Sequence, residues 1–300
     1  MLKKILLAVA ILVVVVAVGG FAFVMKQVSA YDESATKKYD LPLTEVTLPT
    51  DEAEIARGKH LAEAIGGCTA CHGDTMAGGR EEPMGPMGRL VHPNVTPGGR
   101  LKDYSDAELN RLLRHGVKRD GTTVRMMPIF EIQWWPEADR AALIAYLRKV
   151  PPVTTDPGVV EVTAMGKVLD RFGSVPFDVA RRVDHSAPPA TVTPAPTAEY
   201  GKLLSAGCRG CHGDEHLAGG QIPGAPPEIP IPLNLTPHET GLKGWTYDDF
   251  VQLVQSGKRK NGKPLDPFMP VGALRNYNET ELKATWAYLS TLPPVEFGKR

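Results

Sequence analysis

Apolar and polar positions divide the chain into one unbroken apolar run followed by amphipathic segments. Residues 5–25 are 21 consecutive uncharged and mostly aliphatic residues. A stretch of this length can cross the hydrocarbon core of a bilayer as one helix. Lys3 and Lys4 precede the run, and Asp32 and Glu33 follow it. Because positive charge favours the cytoplasmic flank, we expect the rest of the chain to lie outside the cytoplasm.

A cleaved secretory signal is the alternative interpretation of residues 1–30. Val28, Ser29 and Ala30 resemble the small residues of a cleavage site. Signal peptides have apolar regions of only about 7 to 15 residues, so we favour a retained membrane anchor. Both interpretations export the bulk of the chain.

The exported part repeats one pattern of amphipathic helices twice. In each copy a first helix runs into a Cys-x-x-Cys-His motif, a second begins at a capping residue (Ser105 or Thr246), and a third ends before Pro-Pro-Val. Equivalent segments lie 140 to 142 residues apart: 68–72 and 208–212, 94–97 and 234–237, 145–147 and 287–289. The duplication predicts an all-α fold of two tandem domains, residues 45–153 and 197–300. A proline-rich connector, residues 154–196 and helical near 175–183, joins them.

Small and aromatic residues recur on the terminal helices of both copies. Gly58 and Gly201 lie on the first helices, and Tyr146 and Tyr288 lie on the last. This pairing predicts a close crossing of the two terminal helices in each domain, although ordinary core packing explains the four residues equally well.

The charge balance excludes one class of partner. The 300 residues include 34 Lys and Arg and 34 Asp and Glu, so the formal net charge is zero. Proteins that bind nucleic acid through a general electrostatic field are basic. We therefore expect no nucleic-acid partner.

All four cysteines lie in the two Cys-x-x-Cys-His motifs. This motif is typical of covalent haem c attachment, in which two thiols bond the haem vinyl groups and the histidine binds the iron. Zinc and dithiol redox sites also use Cys-x-x-Cys, but zinc would need two further ligands for each pair. We expect two haem c groups attached through Cys68, Cys71, Cys208 and Cys211, with His72 and His212 as iron ligands. Export of the chain is consistent with attachment of haem c after translocation in bacteria, so we expect a single-pass protein of the bacterial inner membrane with the haem domains in the periplasm.

The ligand on the opposite face of each iron separates electron carriers from haem enzymes, because an open position binds gases or activates peroxide. Met269 is the one methionine after the second motif, and it precedes a proline. Met127 lies 142 residues before Met269 and also precedes a proline. We predict Met127 and Met269 as ligands and keep Met126 as the alternative in the first domain. Further candidates there are Met76, Met84, Met87, His92 and His115.

Two short polar pairs, Asn94 with Thr96 and Asn234 with Thr236, stand before prolines in predicted loops. Such residues ordinarily form turns. A role in cofactor binding is the alternative: their side chains would bond a haem propionate or orient the methionine loop.

Together these motifs resemble class I cytochrome c domains and, over residues 50–300, the cytochrome c subunits of bacterial membrane alcohol, aldehyde and gluconate dehydrogenases. The resemblance implies electron transfer from a dehydrogenase subunit towards quinone or a terminal oxidase. We expect a dehydrogenase subunit, a terminal oxidase or another cytochrome of a respiratory chain as the redox partner. The cytochrome c subunits of that family typically carry three haem motifs, and this chain has two. We expect a membrane-anchored dihaem electron carrier, not an enzyme, with no catalytic residues. A peroxidase-like dihaem enzyme with one open haem is the alternative.

Overall fold

Helices form most of the regular structure in the computed structural model, which describes residues 1–223, 225 and 228–300. In chain order they are α1 (Leu2–Thr36), α2 (Glu52–His60), α3 (Cys68–His72), α4 (Asp106–His115), α5 (Ile129–Ile132), α6 (Glu137–Lys149), α7 (Ala164–Arg171), α8 (Ala198–Leu204), α9 (Ala206–His212), α10 (Tyr247–Ser256), α11 (Val271–Leu274) and α12 (Glu279–Thr291). A π-helical turn, Leu61–Ile65, extends α2.

The small antiparallel sheet departs from the all-α prediction. Its strands are β1 (Glu81–Pro83), β2 (Gly88–Val91) and β3 (Glu161–Val162), in the order β1-β2-β3. The first two come from the loop after α3, and β3 comes from the connector. The strands have only two to four residues, too few for an alternating pattern to be recognised in the sequence.

The middle helix of each half begins and ends as its sequence predicts. Ser105 and Glu108 form a capping box at the start of α4, and Thr246 and Asp249 form one at the start of α10. Both helices end at a glycine in the left-handed conformation, with φ of 67° at each. This conformation carries little cost for glycine.

The terminal helices of each half cross with their backbones in contact, as predicted from the glycines. A Cβ added to Gly58 on α2 would lie 2.0 Å from the Ala142 carbonyl oxygen on α6. A Cβ added to Gly201 on α8 would lie 1.9 Å from the Ala284 carbonyl oxygen on α12. The small residues therefore set the distance between the helices.

The connector packs against the first half and the outer end of α1. Val179 and Val183 belong to the same apolar core as α4 and α6, and Phe177 packs with Tyr31 of α1. The predicted helix at 175–183 is wrong: that stretch holds only a 3-10 turn, Ala180–Arg182. Its proline at 176 disfavours helix, whereas Thr163 caps the start of α7 by accepting a hydrogen bond from the backbone of Gly166.

Candidate functional site

The two Cys-x-x-Cys-His motifs form short helices, α3 and the end of α9. All four thiols are free of disulfide bonds. Burial raises the pKa of Cys68 and Cys208 to about 12. Both thiols are therefore protonated at neutral pH, and neither is tied up in another covalent bond.

Each motif histidine is held by one backbone carbonyl. Nδ1 of His72 lies 2.8 Å from the Pro93 carbonyl oxygen, and Nδ1 of His212 lies 2.7 Å from that of Leu233. Each Nδ1 therefore donates its proton, which leaves the Nε2 lone pair available to a metal. Burial lowers the pKa of both imidazoles and favours the neutral form that binds metals. The two histidines thus fit the proximal side of a haem.

Asn94 and Thr96 are fully buried beside the carbonyl that holds His72. Nδ2 of Asn94 donates to the carbonyl oxygens of Val153 (2.7 Å) and Thr155 (2.9 Å), and Oδ1 accepts from the Thr96 backbone N–H (2.9 Å). The Thr96 hydroxyl lies 2.8 Å from Asn94 Oδ1 and accepts from the Val153 N–H at 3.0 Å. This pair joins the loop after α3 to the chain after α6.

The second half repeats this arrangement. Asn234 donates to the Val295 carbonyl (2.8 Å) and accepts from the Thr236 N–H (2.9 Å), and the Thr236 hydroxyl accepts from the Val295 N–H (3.2 Å). In both halves the Asn and Thr side chains form their hydrogen bonds with other groups of the protein. These bonds fix the backbone next to Pro93 and Leu233, whose carbonyl oxygens hold the two motif histidines. The predicted part of these side chains in cofactor binding stays a prediction and would act through that backbone.

The two adjacent methionines of the first half point into different apolar clusters. Met127 packs against the core that includes Leu61 and Trp135, with Cys68 at its edge. Met126 packs instead with Tyr31 and the other residues between α1 and the connector. Met127 and Cys68 therefore border the same apolar core, whereas Met126 borders a different one.

The remaining candidates in the first half have other surroundings. Met76 fills the core, with no exposed surface and a φ of 58°, and the equivalent residue Leu217 is buried with a φ of 57°. Met84 and Met87 pack beside the connector. His115 lies 3.2 Å from another ring nitrogen, that of His185.

His92 is the histidine nearest to a motif histidine in the first half. Its ring lies edge-on to that of His72, with 6.4 Å between the centroids. His92 directly precedes Pro93, whose carbonyl oxygen holds Nδ1 of His72.

Met269 lies on the loop before α11, in the same backbone setting as Met127. The N–H two residues after each methionine donates to the methionine carbonyl, at 2.8 Å for Met127 and 2.7 Å for Met269. Met269 borders an open cavity of about 680 Å³ that also contacts Thr69 and Ala70 of the first motif. The cavity lining does not include Cys208 or His212.

The two halves meet at the segments that carry these motifs. Helix α5, which follows Met127, packs against α9, and α11, which follows Met269, packs against the π-helical turn before the first motif. Arg57 connects the halves by donating to Asp139 of its own half (3.1 Å) and to Glu281 of the other (3.2 Å). The short helix that follows each methionine therefore packs against the segment around the Cys-x-x-Cys-His motif of the opposite half.

Glu131 of α5 is a site residue that the sequence interpretation missed. Its carboxylate lies over α9: a Cβ on Gly210 would be 3.4 Å from Oε1. Burial raises the pKa of Glu131 to about 8, and within the described ranges no cation forms a salt bridge with it. The sequence did contain a signal for this residue. The equivalent position of the second half is the apolar Ala273, so Glu131 is a charged residue where the repeat has an apolar one.

A zinc site finds no support in the arrangement of donors. Among residues 1–223, 225 and 228–300, no three His, Cys, Asp or Glu side chains come together as a metal-binding group. Four-coordinate structural zinc needs such a group. The donors present, two thiols and one imidazole for each motif, fit haem c instead.

Comparison with known sequences agrees with this donor set. Residues 53–147 match the family described as subunit III of cbb3-type cytochrome c oxidase. The chain contains a cytochrome c domain. Such a domain implies covalently bound haem c, and the first motif, with His72, lies inside the matched range.

Two relatives matched over most of the chain, and one matched over a third of it, are named as cytochromes or cytochrome subunits. The cytochrome c subunit of a quinone-dependent alcohol dehydrogenase from Gluconobacter oxydans is 29% identical over 284 residues, 83% of this chain and 57% of the relative. The cytochrome c subunit of a gluconate 2-dehydrogenase from Pantoea cypripedii is 26% identical over 283 residues, 81% of this chain and 60% of the relative. A dihaem cytochrome c from Cereibacter sphaeroides is 29% identical over 110 residues, 33% of this chain and 36% of the relative.

These comparisons confirm the resemblance to cytochrome c subunits of alcohol and gluconate dehydrogenases. The expectation of an electron-transfer protein agrees with these names, which are those of cytochrome subunits. The chain spans less than two thirds of the length of these two dehydrogenase relatives. The long apolar helix α1 adds the features of a membrane anchor.

Proposed function

We propose that this chain is a membrane-anchored dihaem cytochrome c that carries electrons from a dehydrogenase to a downstream respiratory acceptor. The observation that carries the proposal is the matched pair of motif histidines, His72 and His212, each held through Nδ1 by a carbonyl 21 residues further on. A haem iron bound there would accept and release one electron at a time. The polypeptide supplies attachment, ligands and a dry surrounding.

The residues that would hold each haem follow from the two equivalent arrangements. The cysteines of each motif form the thioether links, and the histidine binds one face of the iron. Met127 and Met269 are the ligands for the other face, because each lies on a loop with the same backbone hydrogen bond. The separate burial of Met126 beside α1 supports Met127 over its neighbour.

Two tandem domains, residues 45–153 and 197–300, are part of the proposal. Each has its own capped middle helix, its own glycine-mediated helix crossing and its own Asn-Thr pair. The packing of α5 on α9 and of α11 on the turn before α3 supports electron transfer between the two centres inside one chain.

The proposed location is the bacterial inner membrane, with the haem domains in the periplasm. Lys3 and Lys4 before the apolar run support this orientation. The names of the relatives support a dehydrogenase subunit as the electron donor. A terminal oxidase or another cytochrome is the proposed acceptor.

Two properties can be tested on the purified full chain: the number of haems, and whether each iron has a protein ligand on both faces. Mass spectrometry should find two covalent haems, and the reduced protein should resist carbon monoxide because both irons have two protein ligands. One haem would refute the dihaem proposal. Carbon monoxide binding at one of two haems would favour the peroxidase-like enzyme.

The methionine assignment has a matched control in adjacent positions. Met127→Leu should remove about half of the ferric sulfur-to-iron charge-transfer band, and Met126→Leu should keep all of it. Met269→Leu should remove the other half. Loss of the band in Met126→Leu with retention in Met127→Leu would refute the assignment.

A further inference from the structure

The outer end of α1 is packed along the connector helix α7 instead of ending in a free tether. Residues up to 26 are exposed, whereas Tyr31 and Ala35 are 1% and 7% exposed. Lys167 of α7 pairs with Asp32 at 2.6 Å, and its Nζ lies 5.8 Å from the centroid of the Tyr31 ring. The body of the protein is thus attached to α1 directly above the apolar run.

The two helices run in opposite directions. Asp32 is paired with Lys167, and nine residues earlier on α1, Phe23 stacks on Phe172 with 6.3 Å between ring centroids. Nine helical residues span about 14 Å. The C-terminal end of α7 is therefore the end that lies closer to the membrane.

A solvent-exposed aromatic ring lies at the turn that follows α7. Phe172 is 62% exposed, and the following Gly173 has a φ of 83° that turns the chain back. Arg182 stabilises the turn by donating to the Gly173 carbonyl (3.2 Å). The position of Phe172 is thus set by a fixed turn and by the ring of Phe23.

The depth of Phe172 follows from its partner on α1. Phe23 lies inside the apolar run, three residues before Lys26. If α1 spans the bilayer, Lys26, the first charged residue after the apolar run, lies at the boundary between acyl chains and headgroups. Phe23 then lies just below that boundary, on the acyl-chain side. Phe172 stands at the same level. Aromatic rings with one apolar contact and a polar surrounding favour this boundary.

We propose that Phe172 and its turn insert into the interfacial layer of the same bilayer that α1 spans, as a second membrane contact. The inference rests on the membrane anchor of the proposed function. The occupant is the phospholipid boundary layer, because the exposed ring is continuous with the apolar surface of α1. Two contacts would fix the tilt of the haem domains against the membrane, since the connector is packed into the first half.

Nitroxide labels on the full chain in phosphatidylcholine and phosphatidylglycerol vesicles can measure this depth. The native cysteines are committed to haem in the proposed function, so Phe172→Cys supplies a single free thiol. Met165→Cys is the matched control, because Met165 is 50% exposed at the other end of α7. Val14→Cys in the middle of α1 reports the anchor itself. Equal haem content in the three variants verifies their folding.

We expect the label at 172 to show a ratio of oxygen to nickel-chelate accessibility several-fold above that of the label at 165. Equal ratios at 172 and 165, with a deeply buried label at 14, would overturn this inference and leave the anchor intact. A label at 14 that is open to the chelate would overturn the anchor and this inference together. A label at 172 that becomes shielded only after addition of a dehydrogenase partner would also overturn the lipid contact.

Discussion

A methyl group added at Gly201 tests whether the crossing of α8 and α12 sets the stability of the second half. Its Cβ would lie 1.9 Å from the carbonyl oxygen of Ala284 and 2.8 Å from Cβ of Tyr288. A Cβ ordinarily lies 3.4–4 Å from its neighbours. The two helices must therefore move apart by more than 1 Å to accept the methyl group. The atom that obstructs the methyl group is backbone, so rotation of a side chain cannot relieve the clash.

The expected cost combines strain with a gain in helix propensity. Overpacking of a well-packed core costs about 1 to 3 kcal/mol, and we take the upper value because the backbone is involved. Alanine favours a helix over glycine by about 1 kcal/mol. Gly201→Ala should therefore destabilise the second half by about 2 kcal/mol. For a domain of this size, that lowers the midpoint of thermal unfolding by about 10 °C.

The assay is thermal unfolding of the full chain, followed by far-ultraviolet circular dichroism and by the sulfur-to-iron band. Gly272→Ala on α11 is the control, because no atom lies within 4 Å of its added Cβ. Its midpoint should stay level or rise by up to about 5 °C, because alanine has the same helix-propensity advantage there and meets no clash. If Gly201→Ala unfolds at the same temperature as Gly272→Ala, the close crossing does not limit stability and the argument is wrong.

Three further substitutions test charges and hydrogen bonds. Glu131 has a pKa of about 8 when folded and an ordinary carboxyl pKa when unfolded, so the folded state binds its proton more tightly and stability falls as pH rises from about 4.5 to 8. Glu131→Gln should remove this loss, on the order of 3 kcal/mol between pH 5 and 8 in denaturant unfolding. Asn234→Ala should cost about 2 kcal/mol because it leaves buried backbone groups without partners. Glu281→Gln should cost about 2 kcal/mol, because Arg57 and His60 of α2 lose the charged partner that they share in the other half, while Arg57 keeps Asp139; its thermal unfolding should separate into two transitions.

Each of these has a contrary result. An unchanged pH dependence in Glu131→Gln would place the carboxyl in water. A cost below about 0.5 kcal/mol for Asn234→Ala would mean that water replaces the lost bonds. A single unfolding transition in Glu281→Gln would assign the contact between the halves to apolar packing.

Features that depend on neighbouring residues could be predicted from the sequence. The capping boxes at Ser105 and Thr246 are local, since each residue bonds the backbone three positions later. The helix crossings were predictable because Gly58 and Gly201 recur at equivalent positions of the repeat. The apolar run likewise carries its own length and flanking charges.

Features that depend on distant residues could not be predicted in the same way. Asn94 and Thr96 were identified, but their partner Val153 is 59 residues away from Asn94, and nothing in the sequence names it. Strand β3 pairs with β2 across a similar distance. Glu131 was missed because its neighbour is a helix of the other half.

The pairing of residues 94–96 with 153, and of 234–236 with 295, joins the ends of a loop in each half by hydrogen bonds, with no covalent bond. A disulfide would be the covalent way to close a loop of this length, and its effect would come from restricting the unfolded chain. In the proposed function every cysteine is used for haem attachment. The amide and hydroxyl clasp therefore takes the place of a crosslink and needs no oxidant, so it can form while the cysteine thiols stay reduced.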